Sequence, residues 1–341
     1  MRLDEACMNT FARHETFHPR WGWVKKAYDA SSESPRVFNA DDATLKLGVG
    51  KNMVRSIRFW GHAFRALADV SDPEKSRIGI SVPSAIGEAI FGVSGWDPYT
   101  EDVGTLWLLH WLLFAPKSRM PVWWSAFCEF GAVEFTQQQL TDFVIDQVAT
   151  VSSWSPAPQN SSIEKDVSCL LRTYAPSNEI GRRQAFDDLV DCPMRELGLL
   201  RCVDASNRRF RFVVGGKSTL PAEVVLYACA DFLARTDTKG RTVTVSRLAT
   251  ESGGPGRVFK LSESDLVSSL ETVSRDFKLL DIARPAGAVQ LVFNADPVDV
   301  ALESLRRFYR RRGLGSGPKN GAIAGRLADE PANKGIGAFA K

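Results

Sequence analysis

The stretch from Gly50 to Ala68, GKNMVRSIRFWGHAFRALA, constrains the fold more than any other, because its two sides have opposite chemistry. Met53, Ile57, Trp60, Phe64 and Leu67 recur at steps of four, three, four and three, the period of one helical face, so this stripe must be buried. Lys51, Arg55, Arg58, His62 and Arg65 recur at the same steps on the other side, and the segment contains no carboxylate to neutralise them. The spacing predicts a helix with an apolar floor and a basic ridge. Upstream, Asp41 and Asp42 can cap a short helix through Lys46, and Leu47-Gly48-Val49-Gly50 then supplies a tight turn. In a helix-turn-helix of this kind the second helix lies in the DNA major groove, its N-terminal residues towards the base edges. Lys51, Asn52 and Arg55 occupy that end, and their types suit it, since Arg and Lys pair with guanine and Asn with adenine. The alternative is a solvated cationic face on a core helix.

At 341 residues the chain exceeds one typical core, which predicts two domains. Its net charge of +3 is mild, so nucleic-acid affinity has to come from local patches. The cysteines at 7, 128, 169, 192, 202 and 229 include no CxxC pair, which points away from a zinc cage or a disulfide framework and towards a reduced cytoplasm. No secretory pattern opens the chain, and the longest apolar run, Val103 to Ala115, contains His110 and is too short to span a bilayer.

His14-Glu15-Thr16-Phe17-His18 formally matches HExxH, but Pro19 pushes His18 out of helical geometry and no third ligand is evident. His14 and Glu15 are then polar residues of a structured loop or of a site, where a His and a carboxylate beside Arg13 could do acid–base work on a phosphate. Arg20, Lys25 and Lys26 add positive charge, and Trp21 and Trp23 either pack beneath the basic helix or stack on a base. Asp97-Pro98 reads as the N-cap and first position of the all-apolar helix Leu106 to Phe114, the buried axis of the first domain. Capping explains Asp97, Glu101 and Asp102 more simply than metal binding does. A further helix spans Thr136 to Thr150. The Ser- and Pro-rich segment 152–163 reads as a linker between an N-terminal domain, 1–151, and a C-terminal one, 164–312.

In the second half, Glu164, Lys165 and Asp166 open a helix whose buried side is Val167, Leu170, Leu171 and Tyr174. That is a residue mixture of Mg²⁺-dependent nucleases, although the dipole at a helix start also favours acids. Arg208-Arg209-Phe210-Arg211-Phe212 alternates basic and aromatic residues, the pattern of an exposed basic strand or hairpin. From about 220 to 293 the predicted order is helix, shorter helix, helix and two strands, a winged helix, whose acidic third helix looks structural or protein-binding. The helix Asp299 to Arg312 ends in Arg306, Arg307, Arg310, Arg311 and Arg312, which suits the negative end of its dipole and could equally grip a DNA backbone. The glycine-rich 313–341 reads as a disordered tail.

HETF at His14 to Phe17, Pro19-Arg20, LGVGKNMVRSIRFWG at Leu47 to Gly61, DPYTEDVGTLWLLHW at Asp97 to Trp111, KDVSCLLRTY and GRVFKLSE together resemble an uncharacterised-domain family found beside DNA phosphorothioation genes. GVGKNMV is the most specific match, and the likeness runs to about residue 310. The resemblance implies the DNA-nicking component of a single-strand phosphorothioation system in anti-phage defence, whose companions are a cysteine desulfurase, an ATP-using sulfur-transfer enzyme and an ATPase. It assigns no catalytic residue. The reading is therefore a mainly α protein with small β wings, a helix-turn-helix N-terminal domain and a winged-helix-containing C-terminal domain, which binds double-stranded DNA and nicks one strand, with Mg²⁺ as the cofactor to test. A non-enzymatic adaptor that recruits the sulfur-transfer proteins and a transcriptional regulator are the alternatives, and a homodimer stays open.

Overall fold

The computed structural model describes residues 1–72, 79–175, 192–237, 240–315 and 317. A short helix, α1 (Leu3–Ala6), precedes an irregular loop and α2 (Trp23–Glu33). α3 (Ala43–Leu47) stops at Gly48, whose φ of 64° lies in the left-handed region that glycine enters without penalty, and α4 (Lys51–Ala63) follows. The second helix is shorter than its periodicity predicts. Phe64 is its C-cap and Arg65 turns to a φ of 59°, so Leu67 opens a strand instead. That strand, β1 (Leu67–Ser71), pairs antiparallel with β2 (Gly79–Pro83). Gly61 lets α2 and α4 close on each other, for a Cβ there would lie 2.8 Å from that of Ala27.

α5 (Ala85–Phe91) is capped by Ser84, whose hydroxyl accepts the Gly87 N–H. α6 (Val103–Leu112) is capped by Asp102 and not, as the sequence suggests, by Asp97. Asp97 is buried, and its carboxylate accepts the N–H groups of Glu101 and Asp102 and the Thr105 hydroxyl, shaping the loop that leads into the helix. From Gly104 to Leu112 every residue of α6 is buried. Its polar atoms are satisfied from the other half of the chain. Trp107 donates to Thr219 and Trp111 to Asp231, while His110 lies 2.8 Å from the Tyr174 hydroxyl and 3.0 Å from the Val258 carbonyl. Buried residues from both halves accordingly join one core around this axis. α7 (Pro121–Trp124) runs into a π-turn at Ser125–Glu129, then come β3 (Glu134–Thr136) and α8 (Gln137–Ala149), started by a Thr136–Gln139 capping box.

α9 (Asn160–Tyr174) begins inside the segment read as a linker. β4 (Leu200–Asp204) and β5 (Arg209–Phe212) join β3 in an antiparallel sheet of order β3-β5-β4. Then follow α10 (Ala222–Thr236), β6 (Thr242–Thr244), α11 (Val245–Thr250), an additional short helix α12 (Pro255–Phe259), α13 (Glu263–Ser274), β7 (Leu280–Ala283) and β8 (Gln290–Phe293), with sheet order β6-β8-β7. α14 (Pro297–Arg311), capped by Asp296, packs along α10. After it the Gly315 N–H reaches the Trp96 carbonyl; most of the tail read as disordered lies outside the described residues. The chain is thus mainly helical with small sheets. Among the described residues no helix is long and apolar enough to cross a membrane.

Candidate nucleic-acid interface

Three segments singled out in the sequence meet at one place: the loop from Phe11 to Arg20, the first turns of α4, and α9. The joint is a buried pair. His14 Nε2 lies 2.6 Å from Asp166 Oδ1, which also accepts the Ala12 N–H at 2.9 Å. His14 is 1% exposed and Asp166 3%. The imidazole stacks on Trp60 and meets Phe59 and Trp123 edge-on. Burial alone would lower the His14 pKa, but the Cys169 sulfur and the Asp166 carboxylate outweigh it and raise it to about 10. Burial raises Asp166 as well, against the pull of His14 and the Ala12 N–H. The pair therefore holds a proton across neutral pH.

Pinned from below, the loop turns through Glu15 and Thr16 at φ of 51° and 67°, with Ala12 at 55°. Left-handed backbone is strained for a β-branched threonine, and such strain persists only where the surroundings enforce it. HETFH is consequently a turn and not a helix, so His14 and His18 do not share a helical face. His18 is buried too; burial first, then Arg195, Arg172 and Arg20, drive its pKa down to about 3, so it is neutral. Around the outer side of the turn the cations gather. Arg172 of α9 donates to the Thr16 carbonyl at 2.6 Å, Arg195 donates to the Arg172 carbonyl at 3.0 Å, and Arg55 of α4 stands 3.4 Å from the Glu15 carboxylate. Arg172 and Arg195 have no periodicity to mark them in the sequence; only the fold brings them here.

The basic ridge of α4 is broken. Lys51, Asn52 and Arg55 are exposed. Arg58 is half-buried, donates to Ser81, Asn39 and the Gly79 carbonyl, and faces Asp69. His62 is 4% exposed, 2.9 Å from the Ser81 hydroxyl and 3.3 Å from Asp69, and burial takes its pKa down to about 4. Arg65, past the helix end, donates to the Ala115 and Pro116 carbonyls. The carboxylate that the helix lacks comes from β1 as Asp69. Of the other cations, Lys25 pairs with Asp29, Lys26 donates to the Leu47 carbonyl, and the half-buried Arg20 lies 5.6 Å over the Trp23 ring. Trp23 is buried and Trp21 is 38% exposed.

Glu164, Lys165 and Asp166 do not converge either. Glu164 and Lys165 face solvent, while Asp166 turns inward to His14. These residues do not fit a magnesium ion, and among the described residues no group of three His, Cys, Asp or Glu side chains is placed to hold a metal.

Two solved structures are similar to this chain over nearly its whole length. A crystal structure of SspB matches with 38% identity and a TM-score of 0.83, covering 91% of each chain. A magnesium ion-bound crystal structure of SspB matches with 36% identity and a TM-score of 0.86, covering 96% of this chain and 94% of that one. No curated protein matches. With the profile of one family fitting residues 11–309, the chain belongs to the family described as protein of unknown function (DUF4007).

Proposed function

We propose that this protein is the DNA-handling component of a phosphorothioation defence system, which binds duplex DNA and nicks one strand so that sulfur can enter the backbone. The family resemblance supports that setting, and the similarity to SspB over nine-tenths of the chain supports it further. One observation carries the site: Arg55 from α4 and Arg172 from α9 converge on the strained Glu15–Thr16 turn, with Lys51 and Asn52 exposed on the turn of α4 that precedes Arg55. Lys51, Asn52 and Arg55 contact the DNA, with Arg172 and Arg195 facing its phosphates. His14 and Asp166 are too deeply buried to touch a phosphodiester, so they position the loop. Glu15 is the carboxylate at the surface, 3.4 Å from Arg55; it takes a proton from the water whose oxygen bonds to phosphorus as one backbone P–O bond breaks, the leaving sugar oxygen is protonated by solvent water, and Arg55 offsets the growing phosphate charge. No step is assigned to magnesium. In this reading the helix-turn-helix at 43–63 docks in the major groove and the winged helix at about 220–293 faces the partner proteins, namely the cysteine desulfurase, the sulfur-transfer enzyme and the ATPase.

Conversion of supercoiled plasmid to open circles, in Mg²⁺ and in chelator, tests this. Glu15→Gln should abolish nicking and leave binding intact, whereas Arg55→Ala should weaken both. Wild-type protein that binds tightly and never cuts with any divalent ion would make a non-enzymatic adaptor the better reading.

A further inference from the structure

The arginines of the β4–β5 hairpin are not used by the site above, and their surroundings give them a role. β5 alternates strictly. Phe210 and Phe212 turn inward against Phe135, while Arg209 and Arg211 are exposed. The register places Arg211 between Glu134 of β3 and Arg201 of β4, so two arginines stand directly opposite each other on one exposed face. Like charges in that position destabilise a sheet unless an anion lies between them. The sheet itself supplies little. Glu134 serves both Arg209 and Arg211, at 3.4 and 3.8 Å, and Asp204 is committed to the Ser206 and Asn207 groups of its own turn. Arg201 and Arg208 have no ion-pair partner among the described residues. Of these four guanidinium groups, two thus share one carboxylate and two have none.

From these observations we infer that the outer face of β4–β5 is a second DNA contact, gripping the sugar-phosphate backbone through Arg201, Arg209 and Arg211. This rests on the reading that the protein binds duplex DNA. Arg209 and Arg211 are about 7 Å apart along the strand and Arg201 about 5 Å across it, a compact array matched to a repeating anion and carrying no base-reading geometry. It also adjoins the first site. Arg195, at that site's edge, is six residues before Arg201, so the two lie within roughly 22 Å of each other, about six base pairs of duplex.

The test is the salt dependence of binding to a 30-base-pair duplex, read by fluorescence anisotropy. The triple variant Arg201→Gln, Arg209→Gln, Arg211→Gln should have a log–log slope shallower by about 2.7, from about 0.9 per lost phosphate contact. Wild-type protein then loses roughly 40-fold more affinity than the variant between 50 and 200 mM salt. The matching triple lysine variant should restore the slope. If wild-type protein binds no DNA, both the DNA reading and this surface fall. If wild type binds and the glutamine variant keeps the same slope and affinity, only the surface falls; loss of an acidic protein partner in that variant would then reassign the face to protein docking.

Discussion

At the end of α14, Arg306 and Arg310 face Glu303, Arg307 reaches Asp276 and Glu223, Arg311 meets Glu223 at 3.1 Å and Arg312 meets Asp102 at 3.6 Å. Around the Glu15–Thr16 turn and on β5 the cations outnumber the carboxylates, and Lys51, Asn52, Arg201 and Arg208 project into solvent. Both regions look equally basic in the sequence. The difference is that each of these α14 arginines has a carboxylate, on α14 itself or on a neighbouring element, whereas around the turn and on β4–β5 Glu15 faces Arg55, Glu134 is divided between Arg209 and Arg211, and Lys51 and Arg201 have no carboxylate partner among the described residues. An ion pair already formed has little left for a phosphate, because binding would first have to break it.

The largest expected effect breaks the open region from beneath. His14→Ala leaves the buried Asp166 carboxylate without its partner and should cost about 3–5 kcal/mol in denaturant unfolding. Asp166→Asn, which still accepts the Ala12 N–H, should cost less. A loss below about 1 kcal/mol for His14→Ala would show that the loop is held by other contacts.

The same pair sets the response to pH against that of the remaining core. His18, His62 and His110 have folded pKa values of about 3, 4 and 3, below the ordinary 6.5. Their contribution is complete above 6.5 and is lost as pH falls, because the unfolded chain binds the extra protons. His14, raised to about 10, contributes fully below 6.5 and loses that contribution as pH rises towards 10. Urea midpoints should fall on both sides of neutrality, and the alkaline limb should flatten in His14→Ala. An alkaline limb unchanged in that variant would assign it to another group.

The charges themselves come next. Lys51→Ala with Arg55→Ala should shallow the salt slope by about 1.8, whereas Arg306→Ala with Arg310→Ala should leave it unchanged. Equal slopes for the two double variants would erase the contrast between the regions. Glu223→Gln, which weakens the hold on Arg307 and Arg311, should cost about 1–2 kcal/mol and steepen the salt dependence of DNA binding through the arginines it frees. Smallest of all, Arg310→Ala, at 4.0 Å from Glu303 and exposed, should change stability by less than about 0.5 kcal/mol.

Where a signal was local, the sequence was readable. The helix expected from Thr136 begins there, with Thr136 as its cap, and the apolar run that starts at Val103 becomes the buried axis. Periodicity overran the end of α4, because it cannot register that Arg65 turns left-handed and starts a strand. It likewise chose Asp97 over Asp102 as a cap, since Asp-Pro is the stronger local pattern and only the folded loop shows which carboxylate meets the first free N–H. His14 and Asp166 stood out separately as rival candidates. That they are one pair, 152 residues apart, has no local signature.

What the sequence determined by itself is that the chain is mainly helical and which faces of its most periodic helices must leave water, because propensity, capping and apolar spacing act over a few residues. Which charges remain available to a partner was decided by the tertiary structure alone. Asp69, Glu223 and Asp166 neutralise groups on other elements, and an electrostatic partner is chosen by distance in space, where separation along the chain has no influence.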